Sequence, residues 1–406
     1  MTTTDTTDTP DTTDAPDTTD APDTTDAPDT AARARVRDFF ERTVPEVLAP
    51  VVGTVNRARA YRAALYDAGL AGLGYPEAFG GHGDDPELME AWRVGSAGRV
   101  PREDSVFGIG VGMALPTIRE HATDELRERF LRPGLRGEEI WCQLYSEPEA
   151  GSDLASLRTR AVRDGDEWVV DGQKVWSSGA HHAQLGILLA RTDPEAPKHR
   201  GITMLVLPME QSGVTVRPLV QMTGEAEFNE VFFTGARLPA TWVIGEVNGG
   251  WAMAKALLAH ERVATGTASV GATGGERGKT GRTPLPFRQL AELAAWAGRA
   301  DDPIVRQELA SVYTGERVMG WLGQRRVHPS IGKLWRTKQG RAAAEVAARL
   351  GIGAAAWVPG DRDADYWNHH VLNCRAMSIG GGTDEVQRNT LGERALGLPR
   401  EPHPGS

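Results

Sequence analysis

Cysteine is almost missing from this chain of 406 residues. Its two copies, Cys142 and Cys374, are too few for a disulfide framework and lack the spacing of a metal site, so no metal is expected. No apolar run reaches the roughly 18 residues that a membrane-spanning helix requires, and no membrane insertion is expected. No basic-then-apolar leader opens the sequence, which makes the cytoplasm the expected location. Lys and Arg are absent from the first 30 residues, which repeat Thr-Thr-Asp-Ala-Pro-Asp with Asp at every third position from Asp5 to Asp29. Nine carboxylates with so little apolar surface cannot offset chain entropy, so residues 1–30 read as a disordered acidic tail. The tail holds nine of the ten net negative charges, leaving the remainder close to neutral, with no basic footprint for nucleic acid.

What is present is ordinary globular material, 40% hydrophobic and 25% charged, in a chain long enough for two or three domains. Residues 31–142 carry helical signals. Val36, Phe39, Phe40, Val44, Val47 and Leu48 recur at three- and four-residue spacing, and a second helix follows from Thr54 to near Gly69. Asp84-Asp85-Pro86 supplies a cap and a first-turn proline ahead of Glu87 to Arg99. Two more helices are expected over Gly108 to His121 and Asp124 to Leu131. From residue 143 to 248 the pattern turns to strands: Leu157 to Val162, Trp168 to Val175, Leu185 to Ala190, Gly201 to Leu207, Val214 to Leu219 and Phe228 to Phe233. Residues 249–406 return to helices, at Ala252 to Ser269, Pro286 to Gly298, Pro303 to Arg325, Lys333 to Leu350 and Asp384 to Leu396. The Gly-rich stretch 271–285 reads as a loop.

Two runs carry the chemistry. The first is Trp141-Cys142-Gln143-Leu144-Tyr145-Ser146-Glu147-Pro148-Glu149-Ala150-Gly151-Ser152-Asp153-Leu154, an apolar stretch that ends at a hydroxyl, a proline and a small-residue turn. Successive N–H groups around Ala150-Gly151-Ser152 suit an anion nest completed by the Ser152 hydroxyl, although an isolated Gly-Ser reads more readily as a plain loop entering a strand. About twenty residues later comes Val170-Asp171-Gly172-Gln173-Lys174-Val175-Trp176-Ser177-Ser178-Gly179-Ala180-His181-His182. In this order and spacing the two runs resemble the acyl-CoA dehydrogenase family of flavoproteins, and the resemblance covers roughly residues 31 to 401.

The resemblance implies an α+β protein, with an N-terminal α-helical domain, a central β-barrel or sandwich domain and a C-terminal four-helix bundle that builds a tetramer interface. It implies FAD as cofactor, an acyl-CoA or acyl carrier protein thioester as substrate, and an electron-transfer flavoprotein as acceptor. By resemblance Ser146 lies beside flavin N5, and Gly151 and Ser152 lie by the phosphates and the thioester. Trp176 packs on the isoalloxazine, Ser177 and Ser178 contact the flavin, and Tyr145 offers backbone contacts. The family's Arg-x-x-Phe-Gly segment is matched only by Arg282-Thr283-Pro284-Leu285-Pro286, which keeps the arginine and loses the Phe-Gly.

The stretch Ser378-Ile379-Gly380-Gly381-Gly382-Thr383-Asp384-Glu385 resembles the family's catalytic loop and flavin-closing turn, with Thr383 and Glu385 at flavin-contacting positions. Many members carry a glutamate base immediately before the Gly-Thr, and this chain has Gly381 there. A glycine takes no proton, although its amide still serves as an oxyanion donor. The isovaleryl and long-chain branches place the base on the first bundle helix, which here reads Ala259-His260-Glu261-Arg262-Val263. Glu261 is accordingly the expected base and Arg262 its charge partner. Asp384 and Glu385 also read simply as helix-start acids. His181-His182 and His369-His370, adjacent in sequence, are expected to point apart. Gly274 to Thr280 has imperfect P-loop spacing and no preceding strand, which excludes an NTPase. The loss of the loop glutamate leaves two rivals open: a flavin monooxygenase or oxidase on the same fold, and a half-site subunit that pairs with a homologue.

Overall fold

The structure, a computed structural model, describes residues 30–267, 287–325, 327–350 and 364–400, without the side chains of 262–267, 364 and 365. The acidic tail, the stretch 271–285 with Arg282, the P-loop-like stretch and the Arg262 side chain lie outside what is described.

Helix α1 (Ala31–Asp38) begins where the Thr30 hydroxyl accepts from the Arg33 amide, and it runs through a π turn (Phe39–Thr43) into α2 (Val44–Leu48). The apolar spacing read from the sequence is the buried face: Val36, Phe39 and Phe40 pack with Tyr61 and Leu65 of α3 (Thr54–Asp67). Trp92 of α4 (Pro86–Gly95) stacks on Phe40, with ring centroids 5.6 Å apart. Helix α4 has the expected Asp85 cap but ends four residues before Arg99. Helix α5 (Leu115–His121) follows a π turn at Gly110–Ala114, and α6 (Asp124–Arg136) packs against it. Helix α6 corrects the expectation of a stop near Leu131. Pro133 sits inside it, and the carbonyl it strips of an amide partner belongs to solvent-exposed Arg129. The helix ends instead at Gly137, whose φ of +81° satisfies the last carbonyls.

Eight strands form one hydrogen-bonded sheet: β1 (Trp141–Leu144), β2 (Arg160–Asp164), β3 (Glu167–Lys174), β4 (Leu185–Arg191), β5 (Ile202–Pro208), β6 (Val214–Leu219), β7 (Phe228–Pro239) and β8 (Val243–Ile244). The order is β6-β7-β3-β2-β4-β5-β8, with β1 parallel to β4. Strand β1 went unread in the sequence, and β7 runs six residues past Phe233. Strands β4 and β5 separate two cores. Ile187, Leu189, Met204 and Val206 face the helices, while Leu188, Ala190, Leu205 and Leu207 face the interior of the sheet. Phe130 of α6 locks the helical side, edge-on to Trp141 at 5.3 Å and to Trp242 at 5.0 Å.

Helix α7 (Gly250–Thr267) returns across β5 and α5. A further apolar cluster joins α8 (Phe287–Trp296), α9 (Pro303–Gln324), α10 (Pro329–Leu350) and α11 (Ala364–Asn373), the last of which was unread in the sequence. Helix α12 (Asp384–Thr390) packs against α10 and runs on into a π turn at Leu391–Ala395. No helix among the described residues is long and apolar enough to cross a membrane.

Candidate active site

Three walls meet at the expected site. The first is the loop after β1. Val175 N donates to Ser146 O at 2.9 Å, which ties the loop to the end of β3. Lys174, fully buried, donates from Nζ to the Tyr145 carbonyl at 2.9 Å and to Glu147 Oε1 at 2.8 Å. The other contacts of the Glu147 carboxylate are the amides of Arg158 and Thr159, at 2.7 and 2.8 Å. Burial pushes the Lys174 ammonium down to about 8 against the pull of Glu147. Burial also pushes Glu147 up, but Lys174 and the amide donors outweigh it, and the carboxyl lies below its ordinary range. The sequence displays both motifs but not that Glu147 and Lys174 join them. An acid and a lysine inside apolar strand ends were the available signal.

This pin shapes the anion nest and corrects part of it. The Ala150 amide donates to the Glu147 carbonyl at 3.0 Å in a tight turn, so it is not available to a ligand. The amides of Gly151 and Ser152 have no such partner among the described residues. Both residues are exposed, and a Cβ on Gly151 would meet open space.

The second wall leaves β3 at Trp176. Its φ of +62° is left-handed, unusual for a bulky residue, and it holds the indole 60% exposed with one edge against Phe228. Asn229 anchors this turn: the backbones of Ser177 and Asn229 exchange bonds at 3.0 and 3.1 Å, and Asn229 Nδ2 donates to Ser177 O at 2.9 Å. Ser177 Oγ is buried without a partner among the described residues, whereas Ser178 is half-buried. His181 and His182, expected to point apart, instead bring their rings to 4.0 Å on a short 3-10 turn. No metal-binding cluster exists among the described residues.

The third wall pairs α7 with the C-terminal turn. Gly381 and Gly382 have φ of +67° and +83°. Gln387 Nε2 donates to the Gly381 carbonyl at 2.8 Å, and Ser330 Oγ donates to Gln387 Oε1 at 2.6 Å. Thr383 caps α12, its hydroxyl accepting from Val386 N at 3.2 Å. Asp384 is more than a helix-start acid: it is buried against Lys333 Nζ at 2.6 Å. Glu385 is exposed, 3.6 Å from Arg388. Half-buried Glu261 faces this turn, and its Oε1 lies 3.6 Å from where a Cβ on Gly381 would stand. Tyr145 lies within its electrostatic reach from the first wall.

The residues fit a flavin. An exposed aromatic face, a buried unpartnered hydroxyl beside it and unpartnered amides at a small-residue turn are what an isoalloxazine and a pyrophosphate require. Trp176, Ser177, Ser146 and the Gly151–Ser152 amides would hold it.

Models of the acyl-CoA dehydrogenase N-terminal, middle and C-terminal domains match residues 27–138, 142–236 and 248–396. Acyl-CoA dehydrogenase IpdE1 of Mycobacterium tuberculosis is 40% identical over 360 residues, covering 84% of this chain and 88% of its own. Acyl-CoA dehydrogenase FadE34 of the same organism is 40% identical over 365 residues, covering 88% of this chain and 48% of its own. The crystal structure of the ChsE4-ChsE5 complex from Mycobacterium tuberculosis superposes with a TM-score of 0.70 at 30% identity, over 91% of this chain and 97% of that one. The Tcur3481-Tcur3483 steroid ACAD gives the same values. Both titles name two different chains, so the expected homotetramer finds no support in them. With three family domains matched in order on a fold that fits the flavin, the chain belongs to the acyl-CoA dehydrogenase family of FAD-dependent oxidoreductases.

Proposed function

We propose that this protein introduces an α,β double bond into an acyl thioester, with Glu261 as the base. The observation that carries this reading is the 3.6 Å contact between Glu261 Oε1 and the Cβ position of Gly381. Where a loop glutamate would begin, the backbone is left-handed and bare, and a carboxylate from α7 fills the space. Glu261 accepts the α-proton, and the thioester carbonyl, gaining negative charge, takes a hydrogen bond from the Gly381 amide. Bound FAD supplies the acceptor for the β-hydride. Ser146 and Ser177 would hold the ring, Trp176 would shield it from water, and the Gly151 and Ser152 amides would hold its phosphates. Thr383 and Glu385 close the site at the start of α12. The carrier is coenzyme A or an acyl carrier protein, and an electron-transfer flavoprotein is the acceptor. Two buried, unpaired cysteines fit the reducing cytoplasm.

The test is activity on acyl-CoAs with a dye acceptor. Glu261→Gln is expected to lose about 10²–10⁴-fold in kcat while keeping its flavin spectrum. Full activity in that variant removes Glu261 as the base.

A second reading concerns assembly. The structural neighbours titled as two-chain complexes, together with exposed Tyr313 and Trp321 on α9, favour pairing with a second homologous chain. Coexpression with a neighbouring homologue, followed by gel filtration, is expected to give a mixed complex. A chain that is fully active alone as a homotetramer would count against it.

A further inference from the structure

Gln387 of α12 is a buried carboxamide with no part in the proton and hydride steps. It stands under a weak point of the chain. Gly381 and Gly382, adjacent and both left-handed at φ +67° and +83°, form the least constrained kind of dipeptide. Helix α10 grips the segment just before them. Thr337 Oγ1 donates to the Met377 carbonyl at 3.2 Å, Lys333 Nζ donates to the Ser378 carbonyl at 3.3 Å, and Arg341 bonds the Ser378 hydroxyl. The Ile379 and Gly380 amides turn back to the Ala376 carbonyl, at 3.1 and 2.9 Å. Beyond Gly380, among the described residues, the glycine pair takes one hydrogen bond, from Gln387 Nε2 to the Gly381 carbonyl at 2.8 Å. The donor end of Gln387 is itself fixed. Ser330 of α10, fully buried, donates from Oγ to Gln387 Oε1 at 2.6 Å, which leaves the nitrogen facing Gly381. A Cβ on Gly382 would stand 2.9 Å from that nitrogen, so the carboxamide and the bare backbone fit each other. Ser330, Gln387 and Gly381 thus form a relay from the bundle to the glycine pair.

We propose that Gln387 is a positioning residue: by tying back the Gly381 carbonyl it keeps the Gly381 amide directed at the thioester carbonyl and the turn in register with Glu261. This rests on the reading of Glu261 as the base and of the Gly381 amide as the oxyanion donor. The carbonyl and the amide of Gly381 share one Cα, and the Gly380 bond to Ala376 fixes the chain on the amide's side. Fixing the carbonyl therefore holds the amide's direction. It also keeps the 3.6 Å spacing from Glu261 Oε1 to the Cβ position of Gly381. Released, both glycines rotate at little cost, and the amide loses its aim. An oxyanion donor works by being placed beforehand, so misdirection costs rate and leaves ground-state binding nearly alone.

The test is Gln387→Met in the flavin-loaded protein, which keeps the length of the side chain and removes its donor. With a dye acceptor, kcat is expected to fall about 10–100-fold, less than outright deletion of an oxyanion donor, while KM for the acyl-CoA changes little. Ser330→Ala frees the carboxamide to rotate, and should give a smaller loss of the same kind that adds nothing to Gln387→Met. A purely structural bond between α12 and α10 would lower Tm in these variants and leave a bound thioester as it was. The stretching band of an enoyl-CoA labelled with carbon-13 at its thioester carbonyl separates the two roles. Wild-type protein should pull the band below its frequency in water, and Gln387→Met should return it most of the way. Amide exchange over residues 380–383, followed without substrate, is expected to quicken about tenfold. A carbonyl band that stays put, or amide exchange that does not quicken, overturns the proposal whatever happens to Tm. Full activity in Glu261→Gln would instead sink the base assignment, and the carbonyl band would still report on the turn.

Discussion

At residue 381 a left-handed backbone meets a carboxylate one contact away, and each explains the other. At φ +67° a side chain is strained, and any Cβ would begin 3.6 Å from Glu261 Oε1. Gly381→Glu therefore puts two carboxylates in one space, where only one ionises readily. It is expected to lower kcat/KM by about 10–100-fold, and adding Glu261→Gly to it should restore part of the loss. Lys174 gives a stability prediction. Lys174→Met leaves the buried Glu147 charge without its partner, an expected cost of about 3–5 kcal/mol, read as a lower Tm and weaker flavin retention. The sign for pH follows from the direction of the Lys174 shift. Between about 8 and 10.5 the folded protein has shed a proton that the unfolded chain keeps, so this group's contribution to stability rises with pH across that window. Glu147 acts at the other end: its contribution is present above the ordinary carboxyl value and fades as pH falls through its lowered one. Urea unfolding of the wild type and Glu147→Gln at a series of pH values separates the two. At this scale the sequence was legible as to which residues matter and silent about which touch. The Ser146-Glu147 and Lys174-Trp176 motifs stood out, but a pair 27 positions apart is set by how the loop after β1 docks on the end of β3, which no local pattern encodes.

At the scale of elements, spacing carried furthest where one face alone is buried. The apolar positions of α1 to α3 reappear as one core, and Val214–Leu219 has the bounds expected of it. Strands β4 and β5 are apolar on both sides because each faces a different core, so they read as unbroken runs rather than alternation. Helix α6 outlasts its proline because tertiary packing outweighs one missing hydrogen bond. Gly134 lets α5 come so close that a Cβ there would sit 2.6 Å from Leu115. Helix α11 escaped notice because Tyr366, Trp367, Asn368, His369 and His370 are indifferent helix formers, held by the bundle and not by propensity. The junction of α6 with the sheet rests on the Phe130 ring. Phe130→Ala is expected to cost about 3–5 kcal/mol in denaturant unfolding, since two tryptophans lose their edge contacts at once.

For the whole molecule, charge is distributed so that net acidity and chemistry are separable. Removing residues 1–29 deletes nine aspartates and takes the formal charge from −10 to −1. Activity and flavin content are expected to survive, while solubility near neutral pH falls, measurable by turbidity against concentration. The family was legible from two motifs and their spacing. Partner and substrate were not, because they depend on surfaces and on a pocket floor that no short motif describes.

Tyr145 and Gly381 stand 236 positions apart, with Glu261 between them. During synthesis the first wall of the pocket is complete long before the last turn leaves the ribosome. The pocket therefore needs the whole intervening chain, and no fragment that stops before Gly381 can present all three of its walls.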